Sequence, residues 1–544
     1  MLYAIIFLVT YHTILVQSAP TVLKRQESSL YAPVNSSCPN TPLVRPANEI
    51  SSKETAYFNS RKELADLALQ TWLQTIPLNN DVSQLPSIGL TTSGGGYRSL
   101  LEGAGIVQAF DSRDSNSSTS GLFQALTYHA GLSGGAFLVS SLAGNNWPTI
   151  SSLISGLWSS AFEDTIFLPG GALGAGVDDE TITNDLAAKD EAGFPPVLTD
   201  PWGRLFAYQL LYGYDGGVAT RLSGIAENSE FVDATVPYPI LTAIQLPTGQ
   251  CLPTDTSTQF ELHPFEFGSW DKGVMAFTQT AYLGTNMSNG CPVDPNQCIQ
   301  NFDNLGYALG TSSTLFSAIC AGVPATNSSN DLISALDLLL QKDESDIEND
   351  QFAVYPNPFY GYFYSSGVQT ETDLHLVDGG SSNQNNPIWP FIQPARSEVM
   401  DVLIVNDNSA DTDDNFPNGT EIYHTYLQAT RLGLTRMPDI PSTDTFVSEG
   451  LNKRAVFFGC SDQTKLTIVY LPNVNYSYPS NQPSANFQYD PDETDGMIAN
   501  GNLIATQNGE DGWPLCLACG IMHKSFSSIP SDCNDCLTEY CWTN

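Results

Sequence analysis

The sequence predicts an α/β protein organised around a central sheet, and three observations lead there. Short apolar strands such as Ile88-Gly89-Leu90, Leu126-Thr127-Tyr128 and Val402-Leu403-Ile404-Val405 alternate with stretches of helical periodicity. From about residue 38 to residue 510 no linker-like composition separates independent units, and no repeat of roughly 20–50 residues is visible. Hydrophobic residues make up 41% of the 544, ample for one large core.

Charge narrows the function. The chain has 58 acidic and 20 basic residues, a formal net charge of −38. Such a surface cannot condense onto phosphate backbones, which excludes nucleic acid as a partner. Strongly anionic membranes would also repel it. The sequence pI of about 4.1 suits a mildly acidic medium.

At the N-terminus, Leu2 to Val16 form an almost unbroken apolar run followed by the small residues Ser18 and Ala19. This pattern predicts a signal peptide over 1–18, cut after Ser18, and a leader or pro-segment over 19–37 containing the dibasic pair Lys24-Arg25. The run is shorter than the roughly 20 residues needed to span a bilayer. No second apolar span follows, so the mature chain is expected to carry no transmembrane segment. Sequons at Asn35, Asn116, Asn286, Asn327, Asn418 and Asn475 fit a secreted glycoprotein and mark surface loops.

There are eleven cysteines. Cys516-x2-Cys519 and Cys533-x2-Cys536 have zinc-ribbon spacing, but behind a signal peptide they read as disulfides tying down a C-terminal segment, 510–544, with Cys541 nearby. Cys320, in an apolar helical stretch, is the candidate buried free thiol. Helical periodicity also appears at Leu64, Leu67, Leu69 and Leu73. Acidic clusters at Asp343-Glu344, Asp411 to Asp414 and Asp490 to Asp495 read as solvated loops; the last lacks the register of a calcium loop.

Three motifs carry chemistry. Gly131-Leu132-Ser133-Gly134-Gly135 follows an apolar strand and precedes Ala136-Phe137-Leu138-Val139, the setting of a nucleophile elbow that exposes Ser133 at a helix N-terminus. Ser93-Gly94-Gly95-Gly96-Tyr97-Arg98 places three glycines at the start of a helix through Leu100, Val107 and Phe110. Its outward N–H groups can bind an anion, including the oxyanion of a tetrahedral intermediate, and Arg98 sits where a phosphate contact is possible. Asp378-Gly379-Gly380 ends the strand Leu374 to Val377, where small neighbours let a carboxylate approach another loop and act as a base.

In this order the three motifs resemble those of the Ser–Asp dyad hydrolases typified by patatin and cytosolic phospholipase A2, and most closely the fungal lysophospholipases, or phospholipases B. Phe265 to Asp271, Phe302-Asp303-Asn304, Gly310 to Ser313, Pro356 to Phe359, Asn386 to Pro390, Asp495 to Ile498 and Cys541-Trp542 resemble that family as well. The resemblance spans 38–544 and implies one catalytic domain with a mixed central sheet flanked by helices. It makes Ser133 the nucleophile, Asp378 the general base, Gly95 and Gly96 the oxyanion hole and Arg98 the contact to lipid phosphate, with no metal or cofactor. The implied substrates are lysophospholipids and phospholipids in micelles or membranes, met outside the cell, with the enzyme released or retained near the wall. Two departures stand out: Ser381-Ser382 follow the Asp-Gly-Gly turn, and His129 precedes the elbow.

The competing arrangement is an α/β-hydrolase esterase with a Ser–His–Asp triad, in which His424 or His523 is the base. A carboxylate base predicts substantial activity near pH 5, where a histidine base fails. Two apolar runs are candidate lipid-facing surfaces, Trp158, Phe162, Ile166, Phe167 and Leu168, or Phe359, Tyr360, Tyr362, Phe363 and Tyr364. Core packing is the more ordinary role for both.

Overall fold

The parallel centre of the sheet is made of five strands that read, in spatial order, Thr467–Pro472, Val402–Asp407, Ile88–Thr92, Leu126–Gly131 and Tyr238–Gln245. The three expected strands are among them, each extended by two or three residues. Their residues are almost all buried, as a sheet covered on both faces requires. Beyond Tyr238–Gln245 the sheet continues antiparallel through Gln259–Leu262, Glu266–Ser269, Ala276–Gln279 and Val44–Pro46. At the other edge Val456–Phe458 pairs antiparallel with Thr467–Pro472. The computed structural model describes residues 29–78, 84–158, 161–163, 179–247, 249–314, 316 and 351–543.

Parallel neighbours need crossovers, and the helices that supply them bring the motifs to one end of the sheet. Helix Tyr97–Phe110 links Ile88–Thr92 to Leu126–Gly131, and helix Gly134–Gly144 leaves the latter. The loops that follow the parallel strands therefore gather at their carboxyl ends, where α/β sheets bind ligands. Helix Tyr97–Phe110 is held from outside by helix Pro491–Ala505, backbone against backbone. A Cβ at Gly105 would overlap the Ile498 carbonyl, and one at Gly501 the Glu102 carbonyl.

Several expectations change with the packing. Helix Ser52–Leu73 forms, but Leu64 and Leu67 are 40% and 62% exposed. Its buried face is Glu54, Tyr57, Phe58, Arg61, Ala65, Leu69, Trp72 and Leu73, so two of the four leucines lie on it and two do not. Asp490 is not a loop residue; it caps helix Pro491–Ala505 in a reciprocal box with Glu493. Asp411 is not solvated either, being packed close to the buried Asp407 and pushed up to about 7 by burial first and that charge second. Of the aromatic runs, Trp158, Phe162 and Phe359 are core, whereas Tyr360, Phe363 and Tyr364 are exposed. Ile166, Phe167, Leu168, Cys320, Asn327, Asp343 and Glu344 lie outside the described residues.

The C-terminal segment is tied down as expected. Cys516–Cys536 and Cys519–Cys533 clamp helices Trp513–Met522 and Ser531–Tyr540, and Cys460–Cys541 anchors the tail beside strand Val456–Phe458. There the Trp542 N–H donates to the Phe457 carbonyl at 2.9 Å, covering an otherwise open edge. A fourth disulfide, Cys38–Cys298, fastens the N-terminal strand Val34–Ser36, and Cys251 is also disulfide-bonded. Among the described residues the free thiol is the exposed Cys291. Asn35, Asn116, Asn286 and Asn475 are exposed and Asn418 is half-buried. No helix among the described residues is long and apolar enough to cross a membrane.

The crossing of the two glycine-bearing helices makes a prediction. Gly105→Val should force them apart, lowering stability by at least about 3 kcal/mol and reducing activity with it. Thermal unfolding alongside an esterase assay measures both, and an unchanged midpoint would show that the crossing tolerates a side chain.

Candidate active site

Strand Tyr238–Gln245 assembles the site because two strands share one of its edges. Leu126–Gly131 runs parallel along it and stops with Gly131 opposite Leu241. Asp373–Asp378 runs antiparallel from the other end and stops with Asp378 opposite Ala243. The opposite edge is filled by Gln259–Leu262. The two carboxyl ends thus meet head to head at Thr242, which brings Ser133 and Asp378 together from positions far apart in the chain. Residues after helix Leu305–Ser312 staple the junction. The Ser312 hydroxyl donates to the Thr242 carbonyl at 2.7 Å, the Ser133 N–H donates to the Ser312 carbonyl at 3.0 Å, and the Asp378 N–H donates to the Thr314 carbonyl at 3.2 Å.

Ser133 has φ 51° and ψ −121°, a strained conformation for a residue with a side chain, at the turn into helix Gly134–Gly144. The surrounding glycines make the turn possible by close approach. A Cβ at Gly131 would overlap the Gly135 carbonyl, one at Gly135 the Thr92 carbonyl, and one at Gly134 the Gly96 carbonyl. The elbow and the loop Ser93–Gly96 therefore pack main chain on main chain, and the Gly135 N–H donates to the Ser93 carbonyl at 3.1 Å. Gly95 and Gly96 both have positive φ, 144° and 62°. Their N–H groups donate no hydrogen bond among the described residues, as an anion site requires.

Asp378 is 3% exposed and receives the Gly380 N–H at 2.8 Å. Burial pushes its carboxyl up to about 6, opposed by hydrogen bonds from the Ser133 side chain and Gly380. A base with that value has only about a tenth of its molecules ionised at pH 5 in the free enzyme. Desolvation thus works against ionisation of this carboxyl near pH 5.

No histidine lines the cavity among its described residues. His129 is buried against the Thr92 hydroxyl, 3.2 Å away, and burial lowers it to about 3. His523 bonds the Gly520 carbonyl and is lowered to about 4, chiefly by burial. His424 lies on helix Thr420–Leu432 and does not reach the cavity.

The cavity has a volume of about 250 Å³. Phe137, Trp202 and Phe487 are its apolar lining, and Ser381, Asn385, Glu421 and Ser484 line it with polar groups alongside Ser133 and Asp378. Arg98 also lines it, fully buried, but its guanidinium is engaged by protein. It donates to the Asn408 carbonyl at 3.0 and 2.8 Å, to Ser484 Oγ at 3.1 Å and to the Gln482 carbonyl. Sequence reasoning missed Thr242, Ser312, Asn385, Glu421 and Ser484. Two of them had a signal: Ser312 lies within the segment Gly310 to Ser313, and Asn385 sits beside the segment Asn386 to Pro390.

The fold defines the class. Human GIVD cytosolic phospholipase A2 matches with a TM-score of 0.68 at 16% identity, over 91% of this chain and 72% of that one. The same human protein in complex with methyl gamma-linolenyl fluorophosphonate matches with 0.65 at 18%, over 90% and 67%. The particular family follows from sequence. The lysophospholipase catalytic domain matches residues 88–544. Lysophospholipase 2 of Aspergillus fumigatus is 38% identical, over 94% of this chain and 93% of that protein. A lysophospholipase of Penicillium chrysogenum is 36% identical, over 94% and 90%. Probable lysophospholipase 3 of Schizosaccharomyces pombe is 34% identical, over 96% and 84%. The chain belongs to the lysophospholipase family and is a carboxylic ester hydrolase.

Burial of Asp378 has a cost that can be measured. Its folded value lies above the ordinary one, so its contribution to stability is present in acid and lost as pH rises through about 6. Asp378→Asn should therefore unfold later than wild type at pH 8, by about 2–3 kcal/mol at most, with the difference vanishing near pH 4. Thermal unfolding at the two pH values tests this; equal midpoints at pH 8 would mean the carboxylate is solvated.

Proposed function

We propose that the protein is a secreted lysophospholipase, or phospholipase B, that cleaves fatty-acyl esters through a Ser133–Asp378 dyad. The observation that carries this reading is the head-to-head meeting of the two strand ends at Thr242, with the free amides of Gly95 and Gly96 beside it. Asp378 takes the Ser133 proton as the serine oxygen attacks the acyl carbon. The Gly95 and Gly96 amides hold the oxyanion. As the tetrahedral intermediate collapses, the ester C–O bond breaks and Asp378 returns the proton to the departing alkoxide, releasing the glycerophospho-alcohol. Water, deprotonated by Asp378, then attacks the acyl-serine and frees the fatty acid.

The two kinds of lining suit the two halves of such a substrate. The aromatic groups take the first carbons of the acyl chain and the polar groups take the glycerol side. Arg98 serves the phosphate by its positive charge; direct bidentate contact would require release of Ser484 or Gln482. Diacyl phospholipids in micelles or membranes are further substrates. The disulfides fit an oxidising compartment, and exposed sequons fit glycosylation during export, so the enzyme acts outside the cell, released or held near the wall.

The test is fatty-acid release from lysophosphatidylcholine at pH 6.5 with EDTA present. Ser133→Ala and Asp378→Asn should each lose at least about 10³-fold in kcat. His424→Ala and His523→Ala should stay within a few fold of wild type. A histidine variant as damaged as Ser133→Ala would replace the dyad with a triad. Loss of wild-type activity in EDTA, restored by metal, would likewise overturn the mechanism.

A further inference from the structure

One half-buried acid in the cavity has no part in the dyad chemistry. Glu421 stands in the first turn of helix Thr420–Leu432 and lines the same cavity as Ser133 and Asp378. Among the described residues its carboxyl accepts a single hydrogen bond, from the Asn385 N–H at 2.7 Å.

Asn385 joins the two halves of the site. Its carbonyl accepts the Gly94 N–H at 3.1 Å, and its Nδ2 donates to the Gly94 carbonyl at 3.1 Å and to Ser409 Oγ at 2.9 Å. Its Oδ1 fills the space that a Cβ would need at Gly94 and at Gly380. One carboxamide is thus wedged between the anion-binding loop and the turn that follows Asp378. Glu421 holds the main chain of that wedge.

We propose that Glu421 is a positioning residue for the hydrolytic reaction: through Asn385 it seats the glycine loop against the nucleophile elbow, and its carboxyl must stay uncharged for the oxyanion to form. The charge requirement follows from its surroundings. Asp378 ends one neighbouring strand, Asp407 ends another with the Tyr470 hydroxyl on it at 2.7 Å, and Asp411 follows in the adjoining loop. Arg98, from helix Tyr97–Phe110, is the cation lining the cavity and is spent on carbonyls and Ser484. Burial and then the charges of Asp411, Asp407 and Asp378 push Glu421 well above the usual carboxylate range, against the Asn385 N–H. An ionised Glu421 would oppose an oxyanion developing in the same cavity. Ionisation of Glu421 therefore closes the working pH range on its alkaline side, as Asp378 closes it on the acid side.

This inference rests on the Ser133–Asp378 reading, and its test separates the two. The pH dependence of kcat and kcat/KM is measured from pH 5 to pH 10 with a water-soluble p-nitrophenyl ester, for wild type, Glu421→Gln, Glu421→Ala and Asn385→Ala. Labelling of Ser133 by a fluorophosphonate is followed in parallel, and thermal unfolding checks the fold at each pH. Glu421→Gln keeps an acceptor for the Asn385 N–H but cannot ionise. It should stay within about tenfold of wild type at the optimum and lose the alkaline limb. Glu421→Ala and Asn385→Ala should lose about 10- to 100-fold in kcat with little change in KM, and label more slowly. An unaltered alkaline limb in Glu421→Gln, or an unaltered kcat in folded Glu421→Ala, overturns the proposal while wild-type labelling and its acid limb keep the dyad. A folded wild type that neither labels at Ser133 nor hydrolyses the ester removes the dyad and this inference together.

Discussion

Everything catalytic in this molecule depends on the division of one strand edge. Strand Tyr238–Gln245 is long enough to accept a parallel partner along its first half and an antiparallel partner along its second. Each partner must stop where the other begins, so two carboxyl ends are pressed into one gap. A strand end carries no further ladder bonds, and the groups there must find partners elsewhere. Ser312 and Thr314 provide those partners, and what is left facing the gap is the Ser133 hydroxyl, the Asp378 carboxyl it bonds and two glycine amides.

The local backbone geometry of that gap was legible in the sequence. A serine set among glycines after an apolar strand, a glycine tract opening a helix and an aspartate before two glycines each state a geometric need. The structure meets it by backbone contact at Gly131, Gly134 and Gly135. The meeting itself was not legible, because register along an edge is a long-range property that no local pattern encodes. Thr242 and Ser312 look like ordinary polar residues in a strand and a helix. Glu421 looks like a helix-start acid favoured by the dipole, and only the fold turns it toward a cavity. The Leu64 and Leu67 misreading has a similar cause: the buried stripe of that helix runs through aromatic residues and Arg61, which hydropathy undercounts.

Charge shows the same contrast between composition and place. A surface of −38 disperses its carboxylates in water, yet three of them, Asp378, Asp407 and Asp411, act on the carboxyl of a fourth, Glu421. Desolvation lifts Asp378, Asp411 and Glu421 above the usual carboxylate range. The acidic composition fits an acidic medium by solubility, whereas burial raises the Asp378 carboxyl toward neutrality. Bulk charge and catalytic charge answer to different surroundings.

The clamped C-terminal hairpin has a consequence for how the molecule is made. Helices Trp513–Met522 and Ser531–Tyr540 seal the sheet edge at Val456–Phe458, and they are synthesised after every strand they cover. While the chain is still being extended, that edge is unprotected and its last cysteines have yet to emerge. Cys460 then waits for a partner made 81 residues later. Completion of the fold is consequently a late, oxidative event, and a ribosome-bound chain lacking those helices would expose a sticky sheet edge to chaperones rather than a finished enzyme.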